Sequence, residues 1–137
     1  MKIFQADKRH PWSQSHAQCP TAIQMDGFVR VFYASRDINN VSRISYFDGV
    51  PSVHGFKVTY RHDSPVLDVG DRGRWDDSGV IPCSVIHHPS GALWLFYVGF
   101  SPKVTGDFNN AVGVAWSIDG GMSFQRKCAG PVLSTGS

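Results

Sequence analysis

The chain repeats itself. Pro20 is answered by Pro82, 62 residues on; Phe32-Tyr33 by Phe96-Tyr97, 64 on; and Pro65-Val66-Leu67 by Pro131-Val132-Leu133, 66 on. The landmarks keep their order, and the drift is ordinary loop-length variation. Each unit reads as four antiparallel strands in a meander. Strands are expected over 16–25, 28–35, 42–47 and 56–60, with Asp26-Gly27 as a hairpin turn. They are expected again over 80–88, 92–98, 111–117 and 123–126, with Pro89-Ser90-Gly91 as the first turn. No window carries the 3.6-residue period of a long helix. Four-stranded units repeated radially are β-propeller blades. The predicted fold is therefore all-β: two four-stranded antiparallel blades, one over about 16–62 and one over about 79–128, in a single domain 1–137. One eight-stranded sandwich is the alternative.

A propeller takes ~4–8 blades, and a repeat unit cannot bury its faces alone. Two blades must be completed by other copies of the chain or by the rest of a longer protein. Self-association is the expectation, with Ile3-Phe4 available to cover a neighbour's sheet.

Bulk properties exclude other classes. A hydrophobic content of 42% with 18% charged residues describes a globular chain with a real core. The net charge of +2, with Lys and Arg scattered, argues against a nucleic-acid partner. No apolar run approaches the ~18 residues of a membrane span. Residues 1–7 lack the apolar centre of a signal peptide. Cys19, Cys83 and Cys128 are an odd count at unrelated spacings, which reads as reduced, buried thiols in a cytoplasmic protein. No metal-ligand or cofactor motif is visible; Gly70-Asp71-Arg72-Gly73 lacks the phosphate-loop pattern.

The candidate chemistry gathers at Trp75-Asp76-Asp77-Ser78-Gly79, before an apolar run expected to be a strand buried on both faces. Asp77 and Asp76 are catalytic candidates, and Asp37, at the end of the second strand, is a third. Glycoside cleavage needs two carboxyl groups, one giving a proton and one acting as base or nucleophile. Neighbours on a strand point to opposite faces, so at most one of Asp76 and Asp77 meets a cavity. The plainer role for either is a turn Asp accepting backbone N–H groups.

Arg36 is suited to forked hydrogen bonds with a sugar hydroxyl or an anionic group, or else to a surface ion pair. Arg43 and Arg30 are lesser versions of the same case. His16 precedes the first strand and is a candidate donor to a sugar or a structural imidazole. Trp75 and Tyr97 are candidates for sugar stacking, whereas Trp94 reads as core. His87-His88 reads as surface.

Ser117-Ile118-Asp119-Gly120-Gly121-Met122-Ser123-Phe124 matches the Asp-box pattern S-x-D-x-G-x-[ST]-[WF] in every fixed place. It resembles the hairpins of sialidase-type propellers. That resemblance implies a structural role: the carboxylate holds the turn's N–H groups, Gly permits positive φ, and the aromatic packs beneath.

Longer stretches carry a second resemblance. Ser15-His16-Ala17-Gln18-Cys19-Pro20, Arg30-Val31-Phe32-Tyr33-Ala34-Ser35-Arg36-Asp37 and Asp76-Asp77-Ser78-Gly79-Val80-Ile81-Pro82 are similar to a five-bladed propeller family related to arabinanases, invertases and mannoside phosphorylases. So are Phe96-Tyr97-Val98-Gly99-Phe100 and Asn110-Ala111-Val112-Gly113-Val114-Ala115. The likeness covers most of the chain but only the first two blades of that family. It implies a central cavity that binds sugar, with essential carboxylates drawn from the inner strands of different blades. Two departures stand out: the later blades are absent, and His16 stands where catalytic relatives place an Asp.

The resulting expectation is a glycoside hydrolase-like, glycan-processing module with a carbohydrate ligand, its cavity formed by oligomerisation. A six-blade ring departs less from five-blade spacing than a four-blade ring does, so a trimer is favoured over a dimer. The alternatives are a non-catalytic carbohydrate-binding or structural module and a truncated remnant without activity.

Overall fold

The computed structural model describes residues 2–102 and 108–134. It is all-β. The first sheet runs in the order β1 (Ser15–Gln24), β2 (Val29–Arg36), β3 (Ser42–Ser52), β4 (Gly55–Arg61). The second runs β5 (Gly79–His87), β6 (Leu93–Pro102), β7 (Phe108–Ser117), β8 (Gln125–Arg126). Both are antiparallel meanders of the kind that forms propeller blades.

A ninth strand, β9 (Leu133–Ser134), adds to β7 and was not expected from the sequence. It has a counterpart in the first sheet, where Leu67 bridges Ile44 of β3. The N–H of Val66 donates to the Ile44 carbonyl at 2.7 Å, and that of Val132 to the Val112 carbonyl at 2.8 Å. The landmarks Pro65-Val66-Leu67 and Pro131-Val132-Leu133 thus do the same job, closing the third strand of each sheet.

Ladder register decides which side chains share a face, because directly paired residues stand on the same side. Phe32 pairs with Tyr46 and Ala34 with Ile44, so these four share one face of the first sheet. Leu93, Leu95 and Tyr97 pair with Ser117, Ala115 and Gly113 on one face of the second. The two faces meet, and with Val66, Leu67, Val80, Val85 and Phe124 they make the core. Burying each large side chain is worth about 1.5–3 kcal/mol, so the core holds the sheets together rather than either sheet alone. Trp94 is not part of it: it pairs with Trp116 on the opposite, outward face, stacked on by His88 and capped by Lys127.

Hairpin 117–124 seals the join. The Phe124 ring meets Phe32 edge-on at 5.5 Å, and its N–H donates to the Val66 carbonyl at 2.9 Å. Gly121 has φ 97°, and a Cβ there would lie 2.7 Å from the Phe32 ring, so only glycine fits. Arg30 forks onto Asp48 at 2.8 and 2.9 Å, lies over the Tyr46 ring, and donates to the Gly120 carbonyl. It is a tie between the sheets, and its burial excludes a ligand-binding role.

Three further expectations are corrected. β5 is buried on one face only: Cys83, Ser84 and Ile86 are exposed on the other. Cys19, Cys83 and Cys128 are free and exposed, not buried. Phe4 covers its own chain rather than a neighbour, stacking on Phe47 at 4.2 Å and against Tyr33 at 4.7 Å. No helix among the described residues is long and apolar enough to cross a membrane.

Candidate functional site

Where β1 and β5 lie side by side, their ends open into a cleft of about 660 Å³. Its position follows from local backbone chemistry. β1 carries register breaks between Ser15 and Gln18 and between Gln18 and Thr21, with Cys19 at φ 53°. Such bulges bend a strand and re-aim its side chains; here Gln18 and Cys19 reach the cleft. From the end of β2 comes Arg36, from the following turn Asn39 and Asn40, and from the start of β3 Ser42. Asp77 and Ser78 enter from the turn before β5, and Ile81, Phe100 and Phe108 supply the apolar wall.

Asp77 is held by its surroundings. Its carboxylate accepts the Gly73 N–H at 2.8 Å and the Ser78 hydroxyl at 2.9 Å. Arg36 donates to the Gln18 side-chain carbonyl at 3.2 Å, and among the described residues no carboxylate pairs with it. The cleft therefore brings together one carboxylate, one guanidinium, several amides and hydroxyls, and two phenyl rings.

The other expected residues go elsewhere. Asp76 is fully buried, accepting from Tyr97 Oη at 3.0 Å and Arg126 Nε at 2.8 Å. Asp76 and Asp77 diverge as adjacent residues should, although they do so in a turn rather than on a strand. Tyr97 is in the core and cannot stack on a sugar; burial first, then the nearby Asp76 carboxylate, push its phenol pKa up. Trp75 stacks on Tyr97 at 5.6 Å and packs over Gly99 and Gly113, where any Cβ would collide with its ring. It anchors the turn and does not line the cleft.

Asp37 and Arg43 form a 2.8 Å pair, and Arg43 also holds Asp68 at 2.8 Å. Burial by itself would raise the Asp37 pKa, but Arg43 and the N–H groups of Val41 and Asn39 outweigh it and hold the carboxyl below its usual value. Both charges are spent on structure. His16, at φ 64° and bonded to Ser15 Oγ at 2.8 Å, faces a separate recess beside Lys2, Gln5 and Ala17.

Gln18, Asn39, Asn40, Ser42, Ser78, Phe100 and Phe108 were not anticipated. The polar turn after β2 was visible in the sequence. That it folds back beside Asp77 depends on how the sheets pack.

No protein-family model matches the chain. In sequence it is 33% identical over 134 residues to the uncharacterized proteins MT1551 and Rv1502 of two Mycobacterium tuberculosis strains. The match takes in 97% of this chain and 44% of each relative, so the chain spans less than half their length. In structure it is similar to Zg3597, a family 117 glycoside hydrolase of the marine bacterium Zobellia galactanivorans, with a TM-score of 0.75 and 21% identity. That superposition takes in 98% of this chain and 38% of Zg3597. The fold is shared. The two sheets correspond to part of a glycoside hydrolase's propeller-type fold.

Proposed function

We propose that the chain contributes part of a carbohydrate-processing site in a β-propeller. The observation that carries this reading is the cleft itself, where Asp77, Arg36 and Gln18 meet Phe100 and Phe108 between two inner strands. A sugar presents hydroxyls at its rim and an apolar C–H face. The cleft offers acceptors and forked donors for the first and ring surfaces for the second. The fold neighbour Zg3597, a family 117 glycoside hydrolase, supports the same class.

Within this chain the site is half-equipped for hydrolysis. Cleavage needs two carboxyl groups roughly 5–9.5 Å apart. Asp77 reaches the cleft, Asp76 is sealed with Arg126, and Asp37 is tied to Arg43. The chain's own residues thus support sugar binding, with Asp77 as one of the two acids and the second supplied from outside its two sheets. If none is supplied, the module binds without cleaving.

A glycan-array screen followed by a reducing-sugar assay on the hits tests this. Asp77→Asn is expected to abolish any turnover and weaken sugar binding at least tenfold while the melting temperature holds, since Asn keeps an acceptor for the Gly73 N–H. Glycans bound equally well by this variant and by Arg36→Ala would place the ligand outside the cleft and defeat the assignment.

A further inference from the structure

The two turns that supply cleft residues belong to different sheets. Asn39, Asn40 and Val41 come from the turn after β2, Asp77 and Ser78 from the turn before β5. A continuous run of charged contacts joins these turns, and none of its members lines the cleft. Asp37 begins it. One carboxylate oxygen accepts the N–H groups of Asn39 and Val41 at 2.8 and 3.0 Å, and the other accepts Arg43 Nη1 at 2.8 Å. Arg43 also donates through Nε to the Asp68 carboxylate at 2.8 Å. The Asp68 carbonyl accepts Arg126 Nη2 at 2.6 Å, and Arg126 Nε donates to Asp76 at 2.8 Å. Asp76 is the neighbour of Asp77 in the chain.

Each link is built to hold direction. A planar guanidinium can grip two partners at a fixed angle, and both arginines do so here. Arg43 ties the turn after β2 to the linker between the sheets; Arg126 ties that linker to the turn before β5. The far end is fixed from below. Asp76 is fully buried against Tyr97, its carbonyl accepts the Gly70 N–H at 3.1 Å, and a Cβ at Gly70 would collide with its carboxylate. Asp77 in turn accepts the Gly73 N–H across the same turn. The middle of the run is its exposed part. The Asp68 side chain is 63% exposed, against 16% for Asp37 and 0% for Asp76. An exposed ion pair adds little to the stability of a fold. The place of Asp68, where the two arginines meet, gives it work that stability does not.

We propose that Arg43, Asp68 and Arg126 are positioning residues for the cleft. They touch no ligand there; they set how far Asp77 stands from the Asn39–Asn40 turn on the other sheet. A ligand gripped from both sides needs that spacing held, because a binding constellation works only when its supporting contacts keep it close to the productive geometry. The spacing exists whatever the ligand is; that it serves a sugar rests on the carbohydrate reading above.

Hydrogen exchange and carbon-13 carboxyl spectra of the full chain, without sugar, test this. Arg43→Met keeps the aliphatic stem and removes both bonds at the near end of the run. It is expected to speed exchange of the Gly73 amide about tenfold and to shift the Asp77 carboxyl resonance, although Arg43 bonds to neither residue. Amides of the core strands, at Phe32 and Leu95, should keep their rates. Asp68→Ala is expected to repeat the effect, and Asp68→Asn, which keeps an oxygen for Arg43 Nε, to restore the wild-type signals. Gly73 and Asp77 signals unchanged in both Arg43→Met and Asp68→Ala overturn the proposal. So does an acceleration that reaches Phe32 and Leu95 equally, since that is a loss of overall stability. With no sugar present, this measurement and the glycan screen succeed or fail separately.

Discussion

Asp119 and Asp76 show how one side-chain type takes different work from its surroundings. Asp119 accepts the Ser123 N–H at 3.0 Å and the hydroxyls of Ser117 and Ser123 at 2.6 Å each. Burial alone would raise its pKa; the hydrogen bonds of Ser117, Ser123 and Met122 overcome that and bring it down to about 2. A carboxyl lowered in this way stabilises the fold fully above its ordinary value of 3.8 and loses that contribution as pH falls toward about 2. Asp119→Ala should cost about 1 kcal/mol, the low end for stranded donors because the site is exposed to water. Urea midpoints of the two proteins should converge as pH is lowered from 5 to 2; a gap of constant width would refute the assignment. Asp76 is the opposite case. It is sealed between Arg126 and Tyr97, and Asp76→Ala leaves the Tyr97 phenol unpaired and the part-buried guanidinium with the Asp68 carbonyl but no carboxylate. Removing one member of a buried pair costs about 3–5 kcal/mol. Chemical denaturation should show a loss of that size, whereas a variant as stable as the wild type would mean that the pair is not formed.

At the scale of elements, the short segment paired to each sheet's third strand is the informative one. The segment at Val66-Leu67 and β9 make the same backbone contact, yet one lies beneath a second sheet and the other faces water. Opening β9 exposes little apolar surface, so its amides should exchange by local fraying rather than global unfolding. Native-state hydrogen exchange is expected to protect the Val66 amide at least a hundredfold more than that of Val132 in the unassembled chain. Equal protection would mean that the buried neighbour contributes nothing to holding the strand. The same contrast explains β5, whose apolar run is covered on one face and open on the other.

At the scale of the whole molecule, both sheets depend on each other and each keeps one unfinished side. The core is made of one face from each sheet, joined by Phe124 and Arg30, while the outward faces carry Trp116 and Leu133 on one side and Val29, Val31 and Phe56 on the other. The relatives are more than twice as long as the matched segment, which gives them length for further blades in one chain. The repeat, the all-β class and nearly every strand were legible in the sequence, because alternation and turn chemistry are local and each landmark recurs in order. The divergence of Asp76 and Asp77 was legible for the same reason, since neighbouring side chains part. Only the tertiary structure decided which of them meets the cleft, that Tyr97 and Trp75 are packing residues, that Arg43 is consumed by Asp37 and Asp68, and that Gln18 stands beside Arg36. Those outcomes turn on ladder register, on two bulges in β1 and on how one sheet lies upon the other, which are long-range facts that no window of sequence contains.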